Sequence, residues 1–456
     1  MKNTKEKLLS MLLVFVLLFN VLLMSACQMT PPDGGETVVP PADKPVDGPE
    51  GGDPDEEDPD DPEAPVVPEP SQPLTPFGQK IEKAIDEALA KIDFCKTSYG
   101  GKFPGAYSKN YVYGTSGNTA GWVQGFWVGT LWHAYELADT TKARNSYSYL
   151  ASTLIGTFAE RIDKKLGVDN HDMGFLYSPS CVAAYRLTNN QVAAEAAIKA
   201  ADNLLTRYHA DAGFIQAWGT MGDEAEYRLI VDCLMNLPLL YWASEETGDA
   251  KYKDAADKHL AATFKTVYRE DGTTYHTYYF DPETKQPTKG VTKQGYADES
   301  TWSRGQAWAI YGPALAYSYN GDETALGYFK KAANFFIDNL PTSGIPYWDF
   351  DFKDGDGEPK DSSAAAIAVC GLLEGCKYLD DSDPDKAKYM SAAEKMMEAL
   401  IDTCAATQKP DANGLLLYVT QSRRTENSVE QMTPYGDYFY MEALHRFSDP
   451  EWTPYW

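Results

Sequence analysis

Histidine is scarce in this chain, positive charge is outnumbered, and cysteine is too thinly spread to staple a fold. There are six histidines in 456 residues, and no HExxH is among them, so the zinc-protease signature is missing. The GxxxxGK phosphate loop and the GxSxG nucleophile elbow are missing as well. Forty Lys and Arg stand against 67 Asp and Glu, for a net charge of −27, which makes nucleic acid and anionic membrane surfaces poor partners for the folded part. An anionic ligand needs a local basic pocket. Seven cysteines without CxxC spacing suit neither a disulfide scaffold nor the usual zinc sites. Cys370 and Cys376 fall on one predicted helix, too far apart in sequence to bond to each other. Cys95, Cys181, Cys233, Cys370, Cys376 and Cys404 are expected as buried thiols, although an exported location permits a bridge.

Long apolar runs are also few, and the one that stands out comes first. Lysines at 2, 5 and 7 precede a run from Leu8 to Met24, then Ser25, Ala26 and Cys27, which reads as a secretory signal; an uncleaved membrane anchor is the other reading. Small residues directly before a cysteine resemble the bacterial lipoprotein signal, with Met24 where leucine is usual. Residues 1–27 are then a signal segment in which Cys27 is lipidated and becomes the mature N-terminus. Residues 28–73 hold 14 Asp or Glu, one Lys and 13 Pro, a composition that buries no core. Residues 28–75 are therefore expected to be a disordered, acidic, Pro-rich linker. The remaining folded part keeps a net charge of −16.

From residue 76 onward apolar residues recur mainly at helical spacing. The spacing predicts helices near 77–94, 123–138, 142–161, 174–187, 191–207, 228–246, 250–268, 304–319, 323–339, 362–379, 384–404 and 437–447. Even-numbered members, such as WVQGFWVGTLWHAYELA, are apolar or small around most of the circumference. Odd-numbered members, such as QKIEKAIDEALAKI, show one polar face. Six buried helices ringed by six amphipathic ones make an all-α fold, an (α/α)6 barrel over residues 76–456.

Six inner helices running in one sense present their N-termini at one rim, and the unusual residues gather near those starts. They are Trp122 and Trp127, His171 and Asp172, Asp232, Arg304 and Trp308, Asp361, and Asp437. Asp172, Asp361 and Asp437 are each open to a second reading as helix caps. Asp232 sits inside an apolar run, RLIVDCLMNL, where an unpaired carboxylate is costly to bury. The long connection 269–303 has the character of a functional loop. DFDFKDGDGEPKD at 349–361 alternates oxygen ligands but lacks the glycine and closing glutamate of a calcium loop, so a solvated turn is the better reading. Thirty Tyr and ten Trp serve packing first and can stack sugar rings second. Two buried carboxyls among aromatic platforms suit acid/base work on a glycan.

HDMGF at 171, VDCLMNLPLLYWASEETGD at 231, YHTYYFDPET at 275, QGYADESTWSRGQAWAIYG at 294, PYWDFD at 346, DSSAAAIA at 361 and YGDYFYMEAL at 435 resemble the unsaturated glucuronyl hydrolases, glycoside hydrolase family 88. The likeness runs in order over roughly residues 110–447. It implies the same barrel, no metal or organic cofactor, and removal of a 4,5-unsaturated uronic acid from the non-reducing end of lyase-generated oligosaccharides. Water is added across the C4=C5 enol ether, and the hemiketal collapses to release the next sugar.

Residue by residue, the family's catalytic aspartate aligns with Asp232 and its second important aspartate with Asp172. Asp232 should be held neutral by its apolar setting and by the charge of Asp172. His171, His276, Gln294, Arg304 and Trp308 align with substrate-contacting positions, with Trp127 as a second aromatic platform; an ion pair within the rim is the other reading of Arg304. An unsaturated rhamnogalacturonyl hydrolase of a neighbouring family and an inactive glycan-binding surface lipoprotein are the alternatives. Many family members act inside the cell, whereas this chain carries an export signal. It is therefore expected outside the cytoplasmic membrane, touching membrane only through its lipid.

Overall fold

The structure, a computed structural model, describes residues 74–456 apart from residue 120 and residues 425–427. The signal segment, Cys27 and almost all of the linker lie outside the described residues. Helices α1 (Pro76–Tyr99), α2 (Gln124–Leu137), α3 (Thr141–Asp163), α4 (Met173–Tyr177), α5 (Ala183–Thr188), α6 (Gln191–Leu205), α7 (Leu237–Thr247), α8 (Ala250–Thr266), α9 (Ser303–Asn320), α10 (Glu323–Asp338), α11 (Ser362–Cys376), α12 (Pro384–Ala399) and α13 (Pro434–Ser448) follow in order. Around the centre α2 packs on α4, α4 on α7, α7 on α9, α9 on α11, α11 on α13, and α13 back on α2. The ring is closed.

Burial explains the alternation. Every residue of α11 is buried, as are Ser303 to Ala316 of α9, because these helices touch neighbours on all sides. Outer helix α6 buries Ala193, Ala197, Ala200 and Leu204, one helical stripe, and leaves the opposite side to water. Capping fixes where helices begin: Thr140, Asp249, Asp322, Asp361, Asp383 and Thr433 each accept a backbone N–H of the helix they precede. The six cysteines of the described part are free and buried, as expected from their spacing.

Two inner helices differ from the expectation, and both differences matter for the site. The helix expected over 174–187 is split by a π turn, Ser178–Val182. Pro179 lies in that turn; proline has no N–H for the helical ladder and its ring crowds the preceding turn. The helix expected over 228–246 opens instead as a strand, Arg228–Ile230, then a 3-10 turn, Val231–Met235, and only then α7, with Pro238 in its first turn. The strand pairs antiparallel with Thr277–Phe280, which pairs with Pro287–Val291. The long connection thus adds a three-stranded sheet beside the rim.

Candidate active site

Backbone hydrogen bonds bring the segments together. His171 N donates to Ala217 O at 2.9 Å, Ala217 N to Arg228 O at 3.0 Å, and Val231 N to His276 O at 2.9 Å. His171 and Asp172, just ahead of α4, are so tied to the sheet edge that carries Asp232 and His276.

Asp232 is buried in the 3-10 turn, and its Oδ2 has no partner among the described residues. Burial pushes its carboxyl up to about 6, against the pull of the Arg304 guanidinium. Asp172 occupies the N-cap position of α4 but makes no capping bond, so the cap reading does not apply to its side chain. Burial pushes it up to about 8, and the charge of Asp232 pushes the same way; Arg161 and Arg207 offset part of this. Burial raises Asp232 as expected, but the charge of Asp172 is not among the causes; Asp172, which feels the charge of Asp232, is raised further. Both carboxyls stand above the ordinary carboxylate range, and the charge of Asp232 reaches Asp172.

The two histidines are neutral. His171 Nε2 lies 3.4 Å from Asp172 Oδ1, and burial holds its pKa down to about 3, so this contact joins an imidazole to a carboxyl rather than two charges. Burial, with Arg304 next, likewise holds His276 down to about 3. His276 Nδ1 accepts from Lys293 N at 2.9 Å. That bond places the ring proton on Nε2, and Nε2 has no partner among the described residues. It is a buried donor available to a substrate hydroxyl.

Arg304 is not a free fork. Its Nη1 donates to Asp361 Oδ2 at 2.6 Å and Thr420 O at 2.9 Å, and its Nη2 to Gln294 Oε1 at 3.0 Å and Gln421 O at 2.7 Å. The guanidinium lies 4.4 Å from the Trp302 ring and 5.0 Å from the Tyr435 ring. The ion-pair reading therefore describes its contacts, and Gln294 reaches the site as one of its partners. Asp361 is both a cap and that ion-pair partner. Asp437 is neither cap nor pair: it accepts from Leu415 N, Leu416 N and Tyr113 OH and holds the rim on the far side.

The two tryptophans expected as substrate contacts are both buried. Trp308 is fully buried, with Phe175 and Phe439 rings each 5.4 Å from its own, and presents no open face. Trp127 packs edge-on to Tyr99 of outer helix α1 at 4.9 Å. Residues 122 and 126 share the axis face of the α2 entry; one further residue turns about 100° away from it. Trp122 is the half-buried indole at the rim, stacked on Tyr435 at 5.3 Å and 5.2 Å from Phe175.

Sequence reasoning missed Trp218, half-buried with the Arg228 guanidinium 4.4 Å from its ring. It also missed Asn236, buried at the entry to α7 and bonded to Asp232 O, although a polar residue four places after Asp232 in an apolar run was a readable signal. The acidic 349–361 stretch is held by its own bonds: Asp349 accepts from Ser300 Oγ and Tyr296 N, and Asp354 from Thr342. Among the described residues no group of three or more His, Cys, Asp or Glu is arranged to hold a metal ion.

This arrangement can be set beside known proteins. Residues 101–449 match the model of Glycosyl Hydrolase Family 88. The chain is 44% identical over 377 residues to the unsaturated chondroitin disaccharide hydrolase of Streptococcus agalactiae serotype III (strain NEM316), covering 83% of this chain and 93% of that protein. It is 40% identical over 376 residues to the unsaturated glucuronyl hydrolase of Bacillus sp. (strain GL1), covering 82% and 98%. The crystal structure of unsaturated glucuronyl hydrolase from Streptococcus agalactiae superposes with a TM-score of 0.80 at 44% identity, over 85% of this chain and 95% of that one. Family model, sequence and architecture agree, and the chain belongs to Glycosyl Hydrolase Family 88.

Proposed function

We propose that the protein removes 4,5-unsaturated uronic acid from lyase-generated oligosaccharides by hydrating the C4=C5 enol ether, with unsaturated chondroitin-type disaccharides as its first substrate class. The observation that carries the chemistry is the pair of buried carboxyls, Asp172 and Asp232, both raised; in this reading they hold one proton between them. That proton goes to C4, and oxocarbenium character builds at C5. Water then attacks C5, and its proton returns to the ionised carboxylate, which restores the pair. The C5 hemiketal opens, leaving a hemiacetal at C1 whose collapse releases the next sugar as a free alcohol. Asp232, whose Oδ2 has no partner among the described residues, is the group that delivers the proton in this reading. Asp172 keeps the proton count of the pair.

The remaining residues bind and orient. His276 offers its Nε2–H, the half-buried Trp122 offers a ring backed by Tyr435, and Arg304 supplies positive charge beside a substrate that bears a carboxylate. The 44% identity to a chondroitin disaccharide hydrolase supports the substrate class. Export and lipidation at Cys27 belong to the same reading: the start of the chain has a signal-like run ending in Ser25, Ala26 and Cys27, followed by an acidic linker. The enzyme then works on fragments outside the cytoplasmic membrane.

The test is a stoichiometry. Unsaturated chondroitin, hyaluronan and heparin disaccharides are given to the purified protein, and loss of the conjugated ultraviolet absorbance is compared with release of the leaving sugar. Hydration predicts equal amounts of both, greatest for chondroitin disaccharide. Sugar release with the absorbance still present indicates ordinary glycosidic hydrolysis and rejects the mechanism.

A further inference from the structure

Asn236 stands at the N-cap of α7, a position where an asparagine ordinarily bonds its own helix, yet its side chain makes no capping bond there. It reaches across to a neighbouring inner helix instead. Its Nδ2 donates to Asp232 O at 3.1 Å, and its Oδ1 accepts from Phe175 N at 3.0 Å. A carbonyl can only accept and a backbone N–H can only donate, so one amide orientation alone satisfies both. Asn236 is buried. Opposite it lies Gly174, where a Cβ would stand 2.5 Å from Asn236 Cα and 2.9 Å from Met235 O. A glycine is needed there for the two segments to meet. The joined segments are the 3-10 turn that carries Asp232 and the first turn of α4, which follows Asp172.

Neither segment is stiff by itself. Helix α4 has five residues and runs into a π turn, and a 3-10 turn has poorer hydrogen-bond geometry than an α-helix. The carboxyl oxygens are held loosely: Asp172 makes no capping bond and meets only His171 Nε2 at 3.4 Å, and Asp232 Oδ2 has no partner among the described residues. The separation of the two groups must come from the backbones that bear them.

We propose that Asn236 is a positioning residue that sets the spacing of the Asp172 and Asp232 carboxyls by tying their backbones together, without touching substrate. The inference rests on the reading of that pair as the reacting groups. Repulsion between two carboxylates falls with distance, so the spacing decides how strongly one proton is held. It also decides whether the acid reaches C4, where a misplacement of about 1 Å costs on the order of 100-fold.

Asn236→Leu removes both bonds at similar volume, and Asn236→Ser removes them with less steric change. Each is assayed on unsaturated chondroitin disaccharide for kcat and KM from about pH 5 to about pH 9, alongside circular dichroism and thermal unfolding. The expected result is a folded variant with kcat down roughly 10- to 100-fold, KM nearly unchanged, and the two pH limbs drawn together as the carboxyls move apart. A folded variant with lower Tm but wild-type kcat and unmoved pH limbs has lost only packing, and that outcome overturns the proposal. If Asn236→Leu does not fold, Asn236→Ser decides by the same criteria. Asp232→Asn is run in parallel. Turnover retained there rejects the reading of the pair, and this inference with it; a dead Asp232→Asn beside an unaffected Asn236→Leu rejects the positioning role alone.

Discussion

Asp361 and Arg304 form a buried pair in which one carboxylate does two jobs: Oδ2 accepts from Arg304 Nη1 at 2.6 Å, while Oδ1 accepts the N–H of Ser363 that opens α11. The pair thereby joins the starts of two inner helices. It also holds the guanidinium whose charge acts on Asp232 and His276. Replacing Asp361 by Asn leaves Arg304 buried without its counter-charge, at a cost of about 3–5 kcal/mol. Thermal unfolding of Asp361→Asn is expected to show a large fall in Tm. Activity of the remaining folded protein should fall too, because Gln294 loses the fixed position of its partner.

The raised carboxyls carry a pH signature in stability. Asp172 and Asp232 ionise in the folded state near 8 and 6, well above their ordinary value of 3.8, and Asp437 near 7. The folded state therefore binds more protons than the unfolded chain between the ordinary carboxylate range and about pH 8. These three groups contribute stability that is fully present at acid pH and is lost as pH rises through their folded values. Denaturant unfolding of Asp172→Asn should show a shallower decline of stability with pH than the native protein. An unchanged slope counts against the buried, coupled state of Asp172.

In catalysis the same pair predicts a bell. Turnover needs one proton on the pair, so it should fall below about 6, where both carboxyls are protonated, and above about 8, where neither is. Asp172→Asn removes the carboxyl with the higher value and leaves Asp232, near 6. Its residual kcat/KM should peak at lower pH than the native profile, which a pH series on one disaccharide measures directly.

The two tryptophans near the start of α2 should part company. Trp122→Ala strips the half-buried ring from the rim and is expected to raise KM several-fold, in line with the order of 1 kcal/mol carried by an aromatic contact. Trp127→Phe sits against Tyr99 and is expected to leave KM unchanged while lowering Tm. Steady-state kinetics with thermal unfolding on both variants checks the pair.

Much of the barrel was legible because a period of 3.6 with a polar face on every second helix is what an outer ring facing water imposes. The phase of the inner helices was not, since a helix buried all round gives no polar face to show which side meets the axis. Trp127 was placed by the family resemblance, with Trp122 five residues away; the structure has Trp127 buried and Trp122 half-buried. The breaks at Ser178–Val182 and Val231–Met235 interrupt unbroken apolar runs, so the prolines at 179 and 238 were the only local sign. Asp172 and Asp232 were legible, one beside a histidine and one inside an apolar run. Gln294 lies just upstream of Arg304, but the other partners, at 361, 420 and 421, are distant in sequence and only the closed ring brings them in.

At the front of the chain, Cys27→Ser tests the anchor. Labelling with a radioactive fatty acid in a bacterial host should mark the native protein and not the variant, and the variant should leave the membrane fraction. Label retained by Cys27→Ser contradicts lipidation at that residue.

The most direct measurement of the central claim is the rate of absorbance loss from unsaturated chondroitin disaccharide with the native protein and with Asp232→Asn, each shown to be folded. The account predicts rapid loss with the native protein and a decline of several orders of magnitude in the variant, with substrate still bound. Loss at the native rate in Asp232→Asn, or no loss with the native protein, contradicts it.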